Sequence, residues 1–67
     1  MNTQRVKERM EEKHITTERM AKELGMNPST YFRKMQKGGG EFSVMDIMVF
    51  KRVLEMNESD AVDILLS

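Results

Sequence analysis

The sequence predicts an all-α domain of five short helices, on three observations. Residues able to cap a helix N-terminus stand ahead of apolar stretches, at Thr16, Asn27, Ser43 and Asn57. Gly25 and Gly38 follow two of those stretches, where helices commonly end in a left-handed residue. Pro28, the single proline, comes directly after a cap, at the first helical position, where its missing N–H costs nothing.

The first helix is expected over residues 2–14, with Val6, Met10 and the Lys13/His14 edge along one side. Arg5, Glu8, Arg9, Glu12 and Lys13 form its outer face. Their charges mix like and unlike neighbours, so no stability is drawn from them. His14, the lone histidine, either caps the last carbonyls or covers the core edge. With no second ligand nearby it makes no metal or catalytic site.

The second helix is expected over Thr17–Leu24, capped by Thr16, with Ile15 and Met20 as a hydrophobic staple. Met20, Ala21 and Leu24 share one face. A third helix, Pro28–Lys37, turns Tyr31 and Met35 inward. Its opposite face carries Ser29, Arg33 and Gln36, flanked by Thr30, Phe32 and Lys37. Gly38 suits the position just past its end. Gly39 and Gly40 read as a flexible linker, because no strand precedes them and no Lys-Ser/Thr follows to make a phosphate loop.

The fourth helix starts at a capping box of Ser43 and Asp46, with a Phe42–Ile47 staple, and runs to Glu55. Val44, Ile47, Phe50 and Leu54 are its expected inner stripe, with Met45 and Val49 on the far side beside Arg52. The fifth helix opens at Asn57, with Asp60 at its third position and a Met56–Ala61 staple. Ala61, Ile64 and Leu65 point inward, and Val62 and Leu66 diverge from them. Met45, Val49, Val62 and Leu66 are therefore either a dimer surface or the sign that the last two helices are buried on more sides. Of the eight methionines, Met10, Met20, Met26, Met35, Met48 and Met56 fall at expected core positions, a soft, gap-filling interior.

Sixty-seven residues make one domain, 1–67. A chain of this size buries only about 60% of its unfolded surface, which implies modest stability. The absence of cysteine excludes a disulfide framework and thiolate zinc. The charged N-terminus and the lack of a long apolar run predict no signal peptide and no membrane span, with a cytoplasmic location as the default. Net charge is zero but unevenly spread. Residues 1–40 hold nine Lys/Arg and five Glu, a balance of +4, and residues 41–67 hold two and six, a balance of −4. Between Met26 and Gly40 there are three cations and no acid, which points to an anionic partner for this half.

Where two helices cross steeply, the first needs a small residue at the crossing and the turn needs one that accepts positive φ. Ala21, Gly25, and then apolar Met26, Tyr31 and Met35 match that need. On these residues the segment 16–38 resembles the helix-turn-helix of the lambda repressor and Cro (XRE-type) family. The run Gly25–Met35 is also similar to the recognition helix of Fis-like proteins, which share Gly–apolar–polar–x–x–Thr–apolar–x–basic–Lys–apolar. The resemblance covers nearly the whole chain. It implies a lambda repressor-like five-helix DNA-binding domain with its helix-turn-helix at helices 2 and 3, in a small phage or prophage regulator.

It implies further that helix 3 enters the major groove of an operator duplex, with Ser29, Thr30, Phe32, Arg33 and Gln36 facing bases. Arg33 suits guanine, Gln36 adenine, and Phe32 either a thymine methyl or a neighbouring loop. Thr16, Thr17, Asn27, Lys34 and Lys37 would meet the phosphate backbone. Lys34 stands where such repressors commonly have an apolar residue, Met35 where they have an acidic one, and Pro28 where a polar side chain often contacts bases. The rival expectation is a helical protein-binding module, an adaptor or inhibitor of a host protein, favoured by zero net charge and the spare apolar residues. No acid–base pair or nucleophile is placed for catalysis, and no cofactor or small-molecule substrate is expected.

Overall fold

A computed structural model describes all 67 residues. It contains α1 (Thr3–Glu12), α2 (Thr17–Glu23), α3 (Pro28–Gln36), α4 (Val44–Val53) and α5 (Glu58–Asp60), which continues into a π-helical turn, Ala61–Leu65. There are no strands. No helix is long and apolar enough to cross a membrane. The radius of gyration, 10.5 Å, is close to the value of about 11 Å expected of a compact chain of this length.

Every helix starts on a side-chain cap. Asn2, Thr16, Asn27, Ser43 and Asn57 each accept a hydrogen bond from the backbone N–H three residues on, at 2.8–3.1 Å. The Ser43–Asp46 pair closes a full capping box, with Asp46 Oδ2 accepting from Ser43 N at 3.0 Å. Each such cap contributes about 1 kcal/mol, and short helices depend on them.

Four helices also end alike. In each, the first residue past the cap has positive φ: His14 (57°), Gly25 (74°), Gly38 (81°) and Glu55 (52°). The following residue donates back five positions, as Ile15 to Met10 O at 2.8 Å, Met26 to Ala21 O, Gly39 to Lys34 O and Met56 to Lys51 O, each at 3.0 Å. These are Schellman closures, which satisfy the last carbonyls and turn the chain sharply. The two glycines were expected there. His14 and Glu55 were not, and both carry the steric strain of a Cβ in the left-handed region. His14 is exposed, so the expectation that its side chain covers the core edge is corrected: its backbone makes the turn.

The core is built on Val6, Met20, Phe50 and Leu54, all with no exposed surface. Around them lie Met10, Ala21, Tyr31, Met35, Phe42, Met56, Ala61, Ile64 and Leu65. Tyr31, Phe42 and Phe50 form an aromatic cluster, with Phe42 edge-on to Phe50 at 5.0 Å between centroids. The α2 and α3 helices pack together, α4 packs on α2, and the C-terminal turn packs on α1. Asn2 N–H donates to Ile64 O at 2.7 Å, joining the start of α1 to that turn.

The rotation of α4 differs from expectation. Val44, placed in the inner stripe, is 78% exposed, and Met48, placed in the core, is 59% exposed. Val49, placed on the far side, packs against the core with Ile47 and Val53. Met48 lies two residues from Phe50, some 200° around a helix of 3.6 residues per turn, so burying Phe50 turns it outward. Met26 is only half-buried. Arg9, read as part of a solvated face, instead spans to α4. Its Nε donates to Leu54 O and its terminal nitrogen to Glu55 O, both at 3.1 Å.

Candidate nucleic-acid interface

The third helix presents the polar face that the sequence predicts. Ser29, Phe32, Arg33, Gln36 and Lys37 are exposed, and Thr30 and Lys34 are half-buried. Tyr31 and Met35 point inward at 4% and 6% exposure, and this sets the helix rotation. Phe32 and Gln36 lie on the side facing the start of α2. With Thr16, Thr17 and residues of α1 they line one groove of about 370 Å³. Six predicted positions have local roles or partners. Asn27 Oδ1 accepts from Thr30 N and from Ser29 Oγ, both at 2.8 Å. Thr16 Oγ1 accepts from Arg19 N at 3.1 Å, leaving its own proton free to donate. Lys34 Nζ lies 5.8 Å from the Phe42 ring centroid, on the side of α3 away from the groove. Lys37 pairs with Glu41 at 3.1 Å, an exposed contact that is worth little and that a phosphate can replace.

The ion pairs sort the cations. Arg5, Arg9, Lys13, Lys37, Lys51 and Arg52 all have carboxylate partners. Lys51 also donates a hydrogen bond to exposed Glu58, which with the lysine's charge lowers that carboxyl below its usual range. Lys7, Arg19, Lys22, Arg33 and Lys34 have none, and all five lie in α1–α3. The α4–α5 half has no unpaired cation. Lys7, Arg19 and Lys22 fall outside the predicted site. Only their charge marks them in the sequence, and charge alone does not tell a free cation from one tied up by a distant carboxylate, as Arg52 is by Glu23.

The apolar positions set aside as a dimer surface divide. Met45, Val62 and Leu66 are exposed at 70%, 55% and 67%, whereas Val49 is packed on the core and leaves the set. Val44 and Met48 join Met45 as an exposed apolar strip along α4.

Comparison with family models, with curated proteins and with solved structures returns no match to this chain.

Proposed function

We propose that the chain is a sequence-specific DNA-binding transcriptional regulator in which α2 and α3 act as a helix-turn-helix and α3 enters the major groove. The observation that carries the reading is the placement of charge. Every cation without an ion-pair partner sits in α1–α3, on the half that also presents the exposed polar face of α3. Unpaired cations are the ones that can release counterions on meeting phosphates. Arg33 supplies a guanidinium fork for a guanine edge, Gln36 an amide for adenine, and Phe32 an apolar edge for a thymine methyl. Ser29 and Thr30 complete the base-facing set. Thr16 and Thr17, at the start of α2, add hydroxyl and amide donors for a phosphate. Lys7, Arg19 and Lys22 join Lys34 and Lys37 as backbone contacts. A homodimer using Met45, Val62 and Leu66 would read half-sites about 34 Å apart.

The test is fluorescence anisotropy of the purified protein on a random duplex pool at two salt concentrations, with the bound sequences recovered. Salt-sensitive binding with an enriched motif is expected. Arg33→Ala should cost about 1–3 kcal/mol on that motif and relax one base position. Lys22→Gln should weaken binding to all sequences and flatten the log–log salt slope by about one unit. Equal binding by wild type and Arg33→Ala across the recovered sites refutes the base-reading role.

One observation favours a second reading, a helical protein-binding module: the exposed α4 strip of Val44, Met45 and Met48. Methionine-rich apolar surface adapts readily to a partner. Absence of DNA binding even at low salt selects this reading.

A further inference from the structure

The groove between α1, the start of α2 and α3 has features that DNA reading does not use. Its volume is about 370 Å³, within the range of small-ligand sites. Its floor is Met10, Ile15, Tyr31 and Met35, and Phe32 and Gln36 stand on its wall. Tyr31 is 4% exposed, and its hydroxyl has one partner, the thioether of Met10, at 3.2 Å. A thioether is a weak acceptor, so the single proton of this buried phenol is held by a poor partner. Two flexible methionines beside it can reshape to a guest.

We propose that this groove binds a small planar aromatic molecule whose hydrogen-bond acceptor takes the Tyr31 proton in place of Met10 Sδ. The flat body fits between the methionine side chains and Phe32, and the acceptor reaches the phenol at the floor. An acceptor is specified because the phenol's proton gains by exchanging a thioether for a nitrogen or oxygen lone pair, and an aromatic body because the floor is apolar and its rim carries a ring. Phe32 and Gln36 line this groove and are also assigned to bases under the proposed function. On that reading, occupancy and DNA binding exclude each other, and the ligand is an inducer.

The experiment is a titration of quinoline, a neutral planar acceptor, into protein carrying ¹³C-methyl methionine. Indole, of similar shape with a donor and no comparable acceptor, is the control. Saturable shifts at Met10 and Met35 are expected, with Met45 and Met48 on the α4 surface unmoved. Tyr31→Phe removes a hydroxyl bonded only to sulfur and leaves the fold intact; it should weaken quinoline about threefold to tenfold and leave indole unchanged. Thr17→Trp, at an exposed rim position, should abolish both by filling the groove. Shifts spread over the surface methyls, or equal quinoline affinity in wild type and Tyr31→Phe, overturn the site. In a second arm, saturating quinoline should release bound DNA; unchanged DNA affinity in its presence overturns the inducer role. The methyl titration needs no DNA, so failure of the DNA reading and failure of the groove site give different results.

Discussion

Replacing Arg9 by alanine should be among the most damaging changes outside the apolar core. The guanidinium bridges α1 to the end of α4, donating to Leu54 O and Glu55 O, carbonyls beyond the last helical turn. Hydrogen bonds from charged donors contribute about 1.5–3 kcal/mol each when protected from water. The Nε bond is partly buried, the second bond is exposed, and the side chain is 24% accessible, so the pair together is worth about 2–3 kcal/mol. Arg9 also approaches Glu12 and Asp60, each at 3.8 Å, but those carboxylates are 65% and 37% exposed and add little. A domain of 67 residues has about 3–10 kcal/mol in total, so the loss is a large fraction of it. Urea unfolding followed by circular dichroism is the assay. With a slope near ~1 kcal/mol/M, the midpoint should fall by about 2–3 M. The deficit should persist at high salt, because it comes from hydrogen bonds at short range, and Glu12→Gln and Asp60→Asn should each cost under about 0.5 kcal/mol. A midpoint shift below about 0.5 M, or one matched by Glu12→Gln, refutes the clamp.

Glycine at His14 or at Glu55 should stabilise by about 0.5–1 kcal/mol each, because both residues hold positive φ, and the midpoint of thermal unfolding should rise by about 3–6 °C. A fall in either variant would mean that the side chain contributes more than its strain costs. Gly39→Ala should destabilise, since φ is +76° and a Cβ would stand 2.7 Å from Met1 Sδ, whereas Gly40→Ala has open space and should be near neutral; paired urea curves compare them. Burial pushes the Tyr31 phenol up to about 12 from 10.0. The folded state therefore favours the neutral form, so this contribution is complete below pH 10 and is lost as pH rises from 10 to 12, by about 2–3 kcal/mol. Tyr31 is the single tyrosine, so phenolate absorbance titrates it alone; a native midpoint near 10 would contradict its burial.

The local signals held up because their energetics are local. A cap needs one side-chain oxygen and an N–H three residues away, so Thr16, Asn27, Ser43 and Asn57 announce their helices with no knowledge of the rest of the chain. Gly25 and Gly38 announce helix ends for the same reason, and the exposed face of α3 follows once Tyr31 and Met35 are read as inward. His14 and Glu55 give no such signal. Their left-handed geometry is imposed by the packing on either side, with Ile15 and Met56 drawn back over the helices they leave. The groove at Tyr31 depends on where Met10 and Thr17 arrive from other helices, so no spacing in the sequence marks it.

By itself, then, the sequence determined that the chain is helical, where the four helices after the first begin, and that positive charge gathers in the first half. Those are properties of neighbouring residues and of composition. Only the tertiary structure decided how α4 is rotated, which apolar residues stay outside, and which cations are free. Rotation is set when Phe50 enters the aromatic cluster with Tyr31 and Phe42, turning Met48 out and Val49 in. Arg5 and Lys37 pair with carboxylates one turn away, Glu8 and Glu41, but Lys13 and Arg52 pair with carboxylates far along the chain, Glu55 and Glu23. A contact between residues so far apart in the chain has no counterpart in local pattern, because chain closure and not neighbouring chemistry brings its partners together.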